Sequence, residues 1–145
     1  MAGKFAATDV SIVLDALDIS DYCFSVDVPD TKDQIDVSGF NPTSSREFLP
    51  GTRDQTVTLG VLQVFDSTGG FAAIHTKLNT LYTANSAFVF TIKPTSGSVS
   101  GTNPKYSGTA QMYEYDGLNA QLNARAEITV TLKPANGAVW AWATA

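Results

Sequence analysis

Cysteine is almost missing from this chain. Cys23 is the only one, so no intramolecular disulfide can staple the fold, and a reducing compartment is expected. Histidine is as scarce: His75 stands alone, and an imidazole-based metal site has no second ring to draw on. Charged side chains make up 16% of the residues, against about a quarter in ordinary globular chains. Thr, Ser, Asn and Gln take their place, which suits sheet faces or surfaces covered by other subunits. The longest uncharged runs, around Leu78–Ile92 and Pro134–Ala145, are too polar or too short to span a bilayer. The start, MAGKFAATD, has no apolar segment of signal-peptide length. Synthesis in the cytoplasm and no membrane binding are the expectations.

Basic charge is also lacking where it would matter for nucleic acid. Residues 1–36 carry eight Asp against Lys4 and Lys32, a net of −6, and the remainder carries a net of +1. A protein that grips nucleic acid needs a basic face, so that class is excluded. At 145 residues the chain is long enough for a real core, and residues 1–145 read as a single domain.

What is present is mostly strand. Val10, Ile12 and Leu14 alternate with polar residues, and Asp15-Ala16 forms a tight turn into Leu17–Ile19. Tyr22, Phe24, Val26 and Val28 alternate again until Pro29-Asp30, and Gln34–Val37 adds a short strand. Thr56–Phe65 is apolar at both parities, so both its faces are expected to be covered. Asp66-Ser67-Thr68 offers helix caps, and Phe71, Ile74, His75, Leu78, Leu81 and Tyr82 form an apolar stripe at helical spacing. One flanking helix over about residues 69–84 follows. Phe88–Ile92, Tyr106–Tyr115 and Ala124–Lys133 complete the strands. The last is the cleanest, with Ala126, Ile128, Val130 and Leu132 inward. Pro94–Lys105 reads as a flexible loop. The pattern predicts a mainly β fold, a sandwich or barrel with one helix.

One stretch does not fit a scaffold. Asp36–Asp54 holds Pro42, Pro50, Gly39, Gly51 and a Ser/Thr run, which favour turns, so it reads as a long arm loop over about residues 36–54. Yet it carries the apolar Phe40, Phe48 and Leu49 beside the charged Arg46, Glu47 and Arg53. A solvated linker has no use for that combination; an arm that docks on a partner does.

No group of residues composes an active site, so no catalysis, cofactor or metal is expected. The Asp residues recur every third position, but without the D-x-D-x-D-G spacing of a calcium loop. Gly69-Gly70 lacks the rest of a phosphate-binding loop, and His75 reads as a core or boundary residue. Tyr106, Tyr113 and Tyr115 either pack across strands or line a sugar site. Trp140 and Trp142 are either core fillers or anchors of a C-terminal interface.

The order of these features resembles a family, the major tail (tail tube) proteins of long, non-contractile-tailed bacteriophages. The resemblance rests on REFLPGTRDQTVTL (Arg46–Leu59), LNTLY (Leu78–Tyr82), FTIKP (Phe90–Pro94), NPKYSGTAQM (Asn103–Met112) and ARAEITVTLKP (Ala124–Pro134). It implies a structural virion subunit that self-assembles into stacked hexameric rings, forming a conduit for DNA. It implies an arm contacting a neighbouring ring, with Phe40, Arg46, Glu47, Phe48, Leu49 and Arg53 as its contacts. It implies an electronegative lumen, for which Asp27, Asp36, Glu114 and Asp116 are the candidate acids. Tape measure, tail terminator and tail tip proteins are the implied partners. Other tail components and a small carbohydrate-binding β-sandwich are the alternatives.

Overall fold

The computed structural model describes residues 5–40, 45–65 and 74–145. Its ten strands are β1 (Ser11–Leu14), β2 (Leu17–Asp18), β3 (Cys23–Asp27), β4 (Asp30–Asp36), β5 (Phe48–Gln55), β6 (Val57–Leu62), β7 (Phe88–Lys93), β8 (Lys105–Tyr115), β9 (Glu127–Pro134) and β10 (Ala141–Ala143). One helix, α1, runs from Ile74 to Thr83. The expected start of that helix, with its caps and Gly69-Gly70, lies outside the described residues.

Eight of these strands form one antiparallel sheet in the order β2-β1-β7-β8-β9-β6-β3. β10 takes over beside β8 where β9 stops: Ala110 pairs with Pro134, and Ser107 pairs with Ala141. The connection across the sheet's two edges shows that it is curled. β2 and β3 lie at opposite ends of the order, yet Asp18 and Cys23 are five Cα steps apart, at most about 19 Å. In a flat sheet six strand spacings would separate them by about 29 Å. The sheet therefore bends around its core like a barrel, and a one-turn 3-10 helix, Ser20–Tyr22, bridges the seam.

The core follows the alternation. Ile128, Val130 and Leu132 from β9 meet Val57, Leu59 and Val61 from β6, and Phe88, Phe90 and Ile92 from β7. Ile74, Leu78 and Leu81 give α1 its buried stripe, laid on β8. Asp15 and Ala16 both take positive φ, as a two-residue hairpin turn between twisted strands requires. Asn136 and Gly137 do the same between β9 and β10.

Three expectations are corrected. A bulge between Cys23 and Ser25 breaks the alternation of β3. Phe24 consequently leaves the core side and covers Gly60, where a Cβ would come within 2.7 Å of its ring. The segment 94–105 is tied down rather than flexible. The buried Asn103 donates through Nδ2 to the carbonyls of Gly97 (3.0 Å) and Ser98 (3.1 Å), and its Oδ1 accepts the Thr95 N–H. The third correction concerns the arm, which is not a loop.

Candidate functional site

β4 and β5 pair with each other along their length and form a ribbon apart from the main sheet. The pairing is a continuation. Asp27 opposes Thr58, Thr56 N–H donates to Pro29 O, and Asp30 opposes Gln55, all in one unbroken register. β3–β4 and β5–β6 are thus one long hairpin whose first half is sheet and whose second half projects beyond it. The seven residues of β4 reach about 23 Å. The expected arm loop over 36–54 shrinks to the segment between Asp36 and Phe48, because Phe48–Gln55 is strand. Asn41, Pro42, Thr43 and Ser44 lie outside the described residues.

A ribbon with two free edges tolerates what a central strand does not. Pro50 has no N–H to give, which an edge strand does not demand. Gly51 lets Asp33 approach so closely that a Cβ would lie 3.0 Å from the Asp33 Cβ. A second bulge, between Lys32 and Gln34, absorbs the mismatch.

The root of the ribbon is locked into the core. Gln55 is 4% exposed. Its Oε1 accepts the Trp140 N–H (3.0 Å), and its Nε2 faces Trp140 O (3.0 Å), Tyr106 Oη (3.2 Å) and Asp30 Oδ2 (3.2 Å). Arg53 pairs with Asp30 at 2.5 Å, and Lys133 holds Asp54 and Thr56, each at 2.9 Å. The hydrogen bond from Arg53 holds the Asp30 carboxyl below its ordinary value. Outward of these residues, the side-chain and loop hydrogen bonds of the described ribbon are internal: Thr52 to Asp33, Ser38 N–H to Asp36 Oδ1, Val37 N–H to Glu47 O, Glu47 N–H to Ser38 Oγ.

The outer ribbon exposes Ile35, Val37, Phe40, Phe48 and Leu49. Ile35 and Leu49 oppose each other, so their side chains share a face; Phe48 lies opposite Asp36 on the other. Of the six arm residues read from the sequence, Phe40, Arg46, Glu47, Phe48 and Leu49 cluster in this outer part. Arg53 belongs to the root instead. Sequence reading missed Ile35 and Val37, although their alternation with Gln34 and Asp36 was the available signal. It also missed Gln55, whose polar side chain gives no sign of burial.

The candidate lumen acids separate likewise. Asp27 pairs with Thr58, Thr58 with Thr131, and Thr131 with Glu114. These four residues form one row on the sheet face turned away from the core. The neighbouring row on that face is Ser25, Gly60 and Thr129. Asp36 sits on the outer ribbon and Asp116 just past β8, off this row.

The paired tryptophans part company. Trp140 is fully buried, edge-on to Phe90 at 4.7 Å, and its Nε1 donates to Thr109 O at 2.9 Å. It is core and no interface anchor. A Cβ at Gly108 would run into its indole ring. Trp142 stacks on Tyr106 at 4.8 Å and keeps 54% of its surface exposed.

The remaining candidates sit in packing contacts. His75 Nδ1 lies 2.6 Å from the Tyr115 hydroxyl, whose oxygen already accepts from Gln63 Nε2 at 2.8 Å. This contact pins α1 to β8. Burial raises the Tyr115 hydroxyl above its ordinary value. Tyr106 is in the core and Tyr113 is exposed, so the three tyrosines line no common sugar site. Cys23 lines a cleft of about 370 Å³ between β1 and β3, where burial pushes its thiol up to about 12. It stays protonated at neutral pH and is a poor nucleophile. Among the described residues no cluster of His, Cys, Asp and Glu could hold a metal ion.

No protein-family model and no curated protein matches the chain. Solved structures do. The SPP1 tail tube superposes with a TM-score of 0.68 at 10% identity, over 98% of this chain and 80% of that one. This chain has the tail tube fold. A chain of the native gene transfer agent virion gives 0.67 at 16% identity, over 92% of this chain and 95% of that one. A chain from the tail of the empty gene transfer agent particle, refined helically with C6 symmetry, gives 0.62 at 12% identity, over 83% and 82%. At such identities the likeness is one of fold.

Proposed function

We propose that this chain is the major tube subunit of a phage-type tail. It is a single-domain structural virion protein that self-associates into stacked sixfold rings around a conduit for DNA. The observation that carries the reading is the ribbon. It exposes five large apolar side chains, is held only at its root, and stands on a tail tube fold. A two-stranded ribbon with nothing packed on it is marginal in water; packed against a neighbouring ring it gains the second layer it lacks. The subunit acts in the virion tail after assembly in the host cytoplasm. It performs no catalysis and needs no cofactor. Tape measure, terminator and tip proteins fit the lumen and the two ends of such a tube.

The row Asp27–Thr58–Thr131–Glu114 is our choice for the lumen wall. Acids and hydroxyls leave phosphates nothing to exchange counterions with, so DNA slides without binding. Salt screens the repulsion beyond about 8 Å, which confines it to a layer at the wall. Electron microscopy of the concentrated full chain tests the function: long hollow tubes are expected. Phe48→Asp is expected to abolish them while leaving the melting temperature of the unassembled subunit unchanged. Rings that never stack would make the protein a terminator or adaptor instead.

A further inference from the structure

We propose that the end of the sheet opposite the ribbon, built on the 116–126 connection, is the surface that receives the outer ribbon of a second copy. The inference rests on the tube reading above and names the partner surface for its ribbon. β9 fixes the geometry. Its C-terminal end lies beside the ribbon root, where Lys133 binds Asp54 and Thr56. Its N-terminal end, Glu127, follows directly on the 116–126 connection. Eight strand residues put the two ends about 26 Å apart. With β9 running along the tube axis, as the proposal requires, copies stacked head to tail with one polarity form a heterologous contact, so the ribbon end of each subunit meets the connection end of the next.

The receiving end has matching chemistry. Leu122 is 93% exposed and Leu118 is 66% exposed, on a segment closed by the Ala124 N–H bond to Gln121 O. Arg125 lies over the Phe24 ring at 4.6 Å, which carries the apolar surface from the connection onto β3. These are partners for Ile35, Leu49 and Phe48. Charge agrees as well. Arg46 beside the ribbon's apolar residues has no ion-pair partner among the described residues, and neither has Asp116 at the receiving end. Contact between two such ends pairs one cation with one anion next to an apolar patch.

The test is disulfide trapping in tubes of the full chain carrying Cys23→Ser. Leu49→Cys with Leu122→Cys is expected to give a ladder of intermolecular disulfides on oxidation. Leu49→Cys with Val139→Cys, whose second site lies at the ribbon end, is expected to give none. Tubes from the Cys23→Ser parent without a ladder from the Leu49/Leu122 pair overturn the inference and leave the tube reading standing. Absence of tubes from that parent and from the unaltered chain fails the tube reading itself. A charge exchange decides independently of cysteine. Arg46→Asp is expected to raise the concentration needed for stacking by about tenfold, and adding Asp116→Arg to restore it. A double variant as poor as the single one overturns the inference.

Discussion

β5 and β6 are one strand in two environments. In β6, Val57, Leu59 and Val61 are buried; in β5, across the single residue Thr56, only Gln55 is. The register does not change between them. The difference is what lies on the strand: β6 has β9 and the core, whereas β5 has β4 alone. The same backbone ladder is thus stabilised internally in one half and left to find its second layer elsewhere in the other. Substitutions should therefore act on stability in the inner half, on assembly in the outer half, and on both at the root.

The sharpest test of the inner half is the tryptophan pair. Trp140→Ala removes a fully buried ring and should cost about 3–5 kcal/mol in chemical denaturation. Trp142→Ala should cost less, since that ring is half exposed and loses mainly its packing on Tyr106. Equal losses would mean that β10, not the core contact, carries the effect.

At the root the expected effect is smaller and double. Gln55→Leu leaves the Trp140 N–H and carbonyl without partners. That should cost about 1–3 kcal/mol for a buried group left unsatisfied. It should also broaden the distance distribution between spin labels on the ribbon and on the body. A stability loss with no broadening would confine Gln55 to the core and release it from setting the ribbon's direction.

The smallest effect concerns pH. Because Arg53 lowers the Asp30 carboxyl, its contribution is present above the ordinary carboxylate value and is lost as pH falls through the lowered one. The Arg53 Nε resonance should follow a titration with its midpoint below about 3.9. A midpoint at or above that value would show the pair to be open in solution. Neutral pH leaves the root closed, so acidity near physiological values should not control the ribbon.

Alternation alone made most of the sheet legible. Ala124–Lys133 read as a strand because every second residue is apolar, and Ile128, Val130 and Leu132 are indeed buried. Ile74, Leu78 and Leu81 revealed the helix by their spacing for the same reason. The ribbon was hidden because its signals point the other way: Pro50 and Gly51 are turn residues by local preference. Only an edge strand with a bulge opposite makes them acceptable, and being an edge is a property of topology.

The sequence by itself determined the class of this protein: a β scaffold with one helix, and an unusual arm carrying apolar and charged residues together. Periodicity and composition are local, so they survive without coordinates. Tertiary structure alone decided which of two tryptophans is core, which acids share a row, and that the arm is a strand pair rooted on Gln55. Those facts depend on which residues meet across the sheet, at separations such as the 85 positions between Gln55 and Trp140, and no local pattern encodes them.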